Sequence, residues 1–321
     1  MDPFTIIRQD GLLPRVTIKK AEEVTPLLDA VCKGGIRALE ASPDTDCIMD
    51  VLRAAHAHPG AVMGVGTVPT QSMADAVMDA GAAFLTVPGR DLILLEHCLE
   101  KGYPVIMECS SFSEASAAYI KGCRVLKLTP AARPEGVSDV LKLSEQLPDA
   151  SFIPDEGIAP EDLGPWLEEE CVAACSGSFI IDSGDIDSGR FSDITLQCEQ
   201  AVKRVLGFEL AHIGINNTDR AEAGERAKQV ADLFRLPVRP GANSTYAGDA
   251  LEFMHTGVYG TVGHLGFCTG SAERAMAFFG KRGIDIIGES IRRDEKGRVW
   301  FFYLRPELFG FALHVMNRKR P

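Results

Sequence analysis

Closely paired cysteines, internal basic clusters and long apolar runs are all missing from this 321-residue chain. None of its nine cysteines forms a Cys-x-x-Cys pair, which argues against a zinc knuckle or a disulfide framework and points to a reducing cytoplasm. No apolar run reaches the roughly 18 residues that a membrane span needs. The opening segment MDPFTIIRQDGLL has no basic stretch ahead of a long apolar core, so no secretory signal is expected, and its first few residues read as a remnant outside the fold. Acidic residues outnumber basic ones, 45 to 33, giving a net charge of −12. Lys and Arg cluster only in the terminal NRKRP, which argues against nucleic acid and anionic membrane as partners. Small anionic substrates stay open, because local groups bind them. A G-x-G-x-x-G or G-x-x-x-x-G-K-[ST] phosphate loop is also absent.

What is present is a rhythm. From Leu12 to about Leu206, short β-rich runs (LPRVTI, IRALEAS, AVMGVGT, FLTVP, PVIMECS, RVLKLT, SFIPDEG, VAACSGSFI) alternate with amphipathic stretches of helical period. That alternation signals a parallel sheet. Eight β-α units predict a closed (β/α)8 TIM barrel over residues 1–206, near the lower size limit of about 200 residues for that fold. An open doubly wound sheet is the structural alternative.

Residues 207–321 change character and carry an internal repeat. LAHIGINN (210–217) is echoed by VGHLGFCT (262–269), each is followed by a helical run, and ALEFM (250–254) is echoed by ALHVM (312–316). Two copies of a β-α-β-β-β module, packed as a pair in a smaller α+β domain, account for this pattern.

Strand parity then selects residues. In RVLKLTP, Val125, Lys127 and Thr129 share one face and Leu126 and Leu128 the other. If the leucines pack on the helices, Lys127 points into the barrel. Burial disfavours an ammonium, and a neutral amine is the nucleophile that condenses with a ketone to an imine. The plainer alternative is a lysine whose stem is buried and whose head reaches solvent or a carboxylate. In RALEAS, Glu40 shares a face with Ala38 and Ser42 by the same rule. A carboxylate there can move protons during imine chemistry or simply pair with a barrel cation.

The ordered segments GGIRALEAS, GVGTV, VPG (Val87–Gly89), VLKLTPA and CSGSF resemble those of the class I 2-keto-3-deoxy-6-phosphogluconate (KDPG) and 4-hydroxy-2-oxoglutarate (KHG) aldolases, over residues 5 to about 205. The resemblance implies a carbon–carbon lyase that releases pyruvate from a small 2-keto acid. It implies no cofactor for that step beyond the covalent imine, and a homotrimer. Carried over, Lys127 forms the imine and Glu40 is the acid/base group. Thr67 and the Pro88 segment meet the pyruvyl end, while Gly177 and Ser178 cradle a distal phosphate.

The departures from the family pattern fall on the substrate shell. Asp44 stands where the family has an arginine, Asp155 and Glu156 replace Thr-Gly in the P-T-G-G-I segment, and Glu108 replaces a glycine. A like-charge contact at about 4 Å and an effective dielectric near 20 costs about 4 kcal/mol, enough to exclude a phosphate. The expected activity is therefore a Schiff-base aldolase with a shifted substrate. The alternative is a weakened barrel serving as trimeric scaffold for a ligand- or metal-binding tail.

In the tail, the repeat puts His212 and His264 on the first strands of the two modules, and Glu252 and His314 on the last. Imidazoles and a carboxylate suit a divalent transition metal; histidines satisfied within the sheet are the plainer alternative. The arrangement resembles the vicinal-oxygen-chelate superfamily, which includes glyoxalase I, over about residues 207–318.

Overall fold

The computed structural model describes residues 2–45, 47–130 and 136–319. Ala131, which ends the segment VLKLTPA, and Arg320 and Pro321 of NRKRP lie outside them. The chain divides into two compact units, Met1–Val205 and Leu206–Pro321.

In the first unit, β1 (Leu12–Val16), β2 (Ala38–Ala41), β3 (Val62–Val65), β4 (Leu85–Pro88), β5 (Val105–Cys109), β6 (Val125–Leu128), β7 (Ser151–Pro154) and β8 (Cys175–Gly177) run parallel in the order β7-β6-β5-β4-β3-β2-β1-β8. Parallel bridges Phe152↔Val172 and Asp155↔Ser176 bring the barrel to near closure. Helices follow the strands where the sequence supplies caps: Thr70, Asp91 and Ser111 accept hydrogen bonds from the amides of Met73 (3.2 Å), Leu94 (2.9 Å) and Glu114 (3.2 Å). Each such cap is worth about 1 kcal/mol.

One layer of the barrel interior is apolar. Leu13, Ala38, Phe84, Ile106, Val125, Ile153 and Ala174 form a single cluster. Ile6 and Ile7 belong to it too, and they come from the helix Pro3–Asp10. The opening residues, which read as a remnant, thus form a helix that packs into the barrel core. Asp2 caps its start by accepting from the Thr5 amide at 2.8 Å, and Gly11, at φ 70°, turns the chain out of it into β1. No helix among the described residues is long and apolar enough to cross a membrane.

Among its described residues the second unit is one mixed sheet with two α-helices. Its strands are β9 (Glu209–Asn216), β10 (Val238–Pro240), β11 (Ser244–Ala247), β12 (Leu251–Met254), β13 (Gly263–Thr269), β14 (Arg292–Arg293), β15 (Val299–Leu308) and β16 (Phe311–Asn317). Their order is β10-β11-β12-β9-β13-β16-β15-β14. The central β9 and β13 are antiparallel, and each has a parallel neighbour on its outer side, β12 and β16 respectively. Ala223, Ala227 and Ala231, four residues apart on the helix Arg220–Phe234, let that helix approach Ala247 and Phe253 closely.

Ile7 is 1% exposed in the barrel cluster. Ile7→Ala is expected to destabilise the barrel by about 2–5 kcal/mol, through lost transfer energy and the cavity left behind. Urea unfolding followed by circular dichroism measures it.

Candidate functional sites

Side chains on a strand repeat every two residues, so the barrel layer next to the apolar one is found by adding two to each of its members. The result is Arg15, Glu40, Thr86, Glu108, Lys127, Asp155 and Ser176. All of them but Thr86, the second residue of β4, lie in the C-terminal part of their strands or just beyond it, the end at which barrel enzymes carry their chemistry. Strand β3 contributes glycines instead: a Cβ at Gly64 would meet the Phe84 ring at 2.3 Å, and one at Gly66 would meet the Glu40 carboxylate at 2.3 Å. Two cations face three carboxylates in this polar layer.

Lys127 and Glu40 are each 1% exposed. Lys127 Nζ donates to Glu40 Oε2, and Thr86 Oγ1 donates to Glu40 Oε1. The inward direction inferred from parity therefore holds for both, and the lysine head reaches a carboxylate rather than solvent, an ion pair that serves the plainer structural reading as well as the imine reading. This buried contact gives a direct route for a proton between amine and carboxylate.

The other residues divide into two groups. At one side, Thr67 Oγ1 donates to Glu108 Oε2 at 2.5 Å, so the hydroxyl hydrogen that the resemblance assigns to a substrate carboxylate is given to a protein carboxylate. Glu108 is in register with both Lys127 and Pro88. Asp44 is exposed on the loop after β2, its amide donating to Ser42 Oγ at 3.3 Å. It shares an open hollow of about 690 Å³ with Thr67 and Thr70.

At the other side, Arg15 Nη1 meets Asp155 Oδ2 at 3.3 Å and its Nη2 meets Glu156 Oε1 at 2.7 Å. Thr129 Oγ1 donates to the same Asp155 oxygen at 3.4 Å. Burial alone would lower the Arg15 pKa, but the hydrogen bond to Glu156 and the charges of Asp155, Glu156 and Glu40 hold it above its ordinary value. Gly177 has φ 151°, and a Cβ there would meet the Phe179 ring at 2.7 Å. Ser178 is exposed in a separate hollow of about 610 Å³ that also reaches Gln197, Gln200 and Arg204. Arg15, Thr86 and Ser176 escape a reading based on motifs, although the alternation of LPRVTI already sets Leu13 and Arg15 on one face.

The second unit brings all four of its selected residues together. His212 Nε2 lies 3.1 Å from both His264 Nε2 and His314 Nε2. Glu252 Oε2 lies 3.3 Å from His212 Nε2 and 3.2 Å from His264 Nε2. Glycine makes the room: a Cβ at Gly214 would meet the His264 ring at 2.0 Å, and one at Gly266 would meet His212 at 2.4 Å and His314 at 2.7 Å. These glycines are the third residues of HIG and HLG, so the repeat encodes the imidazole and the space across from it. Burial would raise the Glu252 pKa, but hydrogen bonds from His264, Ser244 and Tyr246 and the charge of His212 bring it down to about 2. Ser244 Oγ donates to its other oxygen at 2.6 Å. Phe301 and Tyr303, alternate residues of β15, face His314 with ring centroids 4.8 and 5.1 Å away.

The barrel thus holds a buried lysine and carboxylate in contact on separate strands, an arrangement compatible with chemistry through an imine. The family model of KDPG and KHG aldolases matches residues 4–197, and the chain belongs to that family. It is a carbon–carbon lyase of the Schiff-base type. It is 30% identical to the 2-dehydro-3-deoxy-phosphogluconate aldolase of Treponema pallidum over 203 residues, 63% of this chain and 97% of that protein. The KHG/KDPG aldolase of Escherichia coli K12 is 30% identical over 200 residues, 62% of this chain and 94% of the relative. The crystal structure of KDPG aldolase from Legionella pneumophila, with pyruvate captured as a covalent carbinolamine, superposes with a TM-score of 0.58 at 29% identity, covering 63% of this chain and 98% of that one.

Removing one partner of a buried ion pair strands the other. Lys127→Met is expected to destabilise the barrel by about 3–5 kcal/mol, and adding Glu40→Gln to recover most of that loss. A double-mutant cycle in urea measures both.

Proposed function

We propose that the barrel cleaves a 2-keto-3-deoxy or 4-hydroxy-2-oxo acid to pyruvate and an aldehyde, with a substrate shifted away from the phosphorylated sugar acid. The buried contact between Lys127 Nζ and Glu40 carries this reading. After proton transfer to Glu40, the neutral Lys127 amine adds to the C2 carbonyl, and the carbinolamine loses water to a protonated imine. A base takes the C4 hydroxyl proton, the C3–C4 bond breaks, and its electron pair moves into the imine, leaving an enamine and an aldehyde. Protonation of the enamine at C3 and addition of water release pyruvate and restore Lys127. Glu40 is the group within reach for the proton transfers at nitrogen and carbon. The imine is the electron sink, so the step needs no other cofactor.

The second unit we read as a pair of β-α-β-β-β modules of the vicinal-oxygen-chelate kind holding a divalent metal. Three imidazole nitrogens and one carboxylate oxygen suit a borderline ion such as Zn²⁺. Donors at 2.0–2.1 Å from a tetrahedral ion lie about 3.3 Å apart, close to the 3.1–3.3 Å separations seen here. Glycines 214 and 266 support the reading, because larger residues would fill the space the imidazoles use. The bound ion would polarise a ligand oxygen, beside a wall formed by Phe301, Tyr303 and Tyr259.

For the assembly we infer a homotrimer in the cytoplasm. Ile93 and Ile120, 72% and 78% exposed on neighbouring barrel helices, support a covered face, and nine free cysteines support a reducing compartment. Light scattering on the full chain is expected to give three times the chain mass.

Two further measurements test the chemistry. Borohydride reduction in the presence of pyruvate is expected to trap an adduct on Lys127, located by mass spectrometry of the digest. An unmodified Lys127 rejects the aldolase reading. Elemental analysis of tag-free, metal-supplemented protein is expected to find about one divalent ion per chain and none in His264→Ala. An empty wild-type site, with His264→Ala unchanged in stability, rejects the metal centre.

A further inference from the structure

Three neighbouring members of the barrel's polar layer take no part in the imine chemistry: Asp155 at the end of β7, Ser176 on β8 and Arg15 on β1. Asp155 and Ser176 are bridge partners, and both are fully buried. Asp155 Oδ2 is held by Arg15 and Thr129. Asp155 Oδ1 and Ser176 Oγ, by contrast, are buried polar atoms with no hydrogen-bond partner. An unsatisfied buried polar atom costs about 1–3 kcal/mol, more for a charged group. Two of them on bridged positions of neighbouring strands in the polar layer are a cost that a ligand would remove.

A second, independent cost lies one residue on. Glu156 has φ 58°, a left-handed backbone that a glycine adopts freely and other residues adopt at about 1 kcal/mol or more. Its return is a half-exposed ion pair with Arg15, and pairs of that kind contribute about 0–1 kcal/mol. The glutamate is thus not there for stability. It anchors the second arm of the Arg15 fork while Asp155 anchors the first.

The chemistry of the two orphaned atoms defines their ligand. A carboxylate oxygen beside a guanidinium accepts, and a serine hydroxyl both donates and accepts. Together they match an alcohol, which offers one hydrogen and two lone pairs. An anion does not match. The single Arg15 cation already faces two carboxylates, and a phosphate about 4 Å from either would meet repulsion of about 4 kcal/mol per charge.

We propose that Arg15, Asp155, Glu156 and Ser176 form a hydroxyl subsite, in which Asp155 Oδ1 accepts from, and Ser176 Oγ donates to, a free hydroxyl on the aldehyde side of the cleaved bond. The substrate class is an unphosphorylated, polyhydroxylated 2-keto-3-deoxy acid. Asp155 and Ser176 bind the hydroxyl directly, and Arg15 with Glu156 positions the Asp155 carboxylate. This assignment rests on the aldolase reading of Lys127.

Pyruvate release from 2-keto-3-deoxygluconate and from its 6-phosphate, followed with lactate dehydrogenase on the full chain, tests the proposal. The wild type is expected to favour the unphosphorylated acid by about 100-fold or more in kcat/KM. Asp155→Asn with Ser176→Ala is expected to reduce that preference at least tenfold, mainly through KM for the unphosphorylated acid. Glu156→Gly, which relieves the left-handed backbone, is expected to raise kcat/KM for the phosphorylated acid. A wild-type preference for the phosphorylated acid, or a preference that none of these variants alters while their melting temperatures hold, overturns the subsite alone. Failure of borohydride to trap pyruvate on Lys127 overturns the aldolase reading, and the subsite with it.

Discussion

The chemistry proposed for the barrel depends on one buried contact, that between the Lys127 ammonium and the Glu40 carboxylate. Neither charge would be tolerated alone at 1% exposure, because desolvation of a lone ion costs several kcal/mol. Each is present because the other is. Their strands lie on different parts of the sheet, so the pair forms only when the barrel closes around it. The apolar layer beside it, from Leu13 to Ala174, holds the strands in the register that brings the two groups together. The hydroxyl of Thr86 then occupies the second Glu40 oxygen, which fixes the carboxylate in one orientation.

Two adjacent layers of the barrel divide the work. The apolar layer supplies stability and accepts Ile6 and Ile7 from the first helix. The polar layer, two residues further along each strand, supplies chemistry. Because side chains alternate, a residue in the polar layer changes without disturbing the apolar layer. This separation is what lets Asp155, Glu108 and Arg15 stand beside Lys127 and Glu40 in the same layer without disturbing the apolar one.

Much of this was legible in the residues themselves, for a physical reason in each case. RVLKLTP aims Lys127 inward because leucines on the alternate positions can face only the helices. The repeat of H-x-G in the tail reveals both the imidazoles and the gap opposite them, since only glycine leaves room for a ring at 2.0 Å. Other features depend on contacts that no local pattern announces. The partner of Thr67 is Glu108, 41 residues away. The partners of Arg15 lie 140 and 141 residues away, and nothing in LPRVTI itself names them. The helix at Pro3–Asp10 is too short for periodicity to reveal, and its place is settled by tertiary packing of two isoleucines.

The helix that carries Ile6 and Ile7 also closes off apolar surface inside the barrel. Hydrophobic side chains pack the barrel layer on the far side of Lys127 from the strand C-termini. In the chemistry proposed for Lys127, the three-carbon fragment would stay bound to the amine after the C3–C4 bond breaks. The aldehyde would then leave before that bond to nitrogen is hydrolysed, and an aldehyde that lingered would recombine with the enamine.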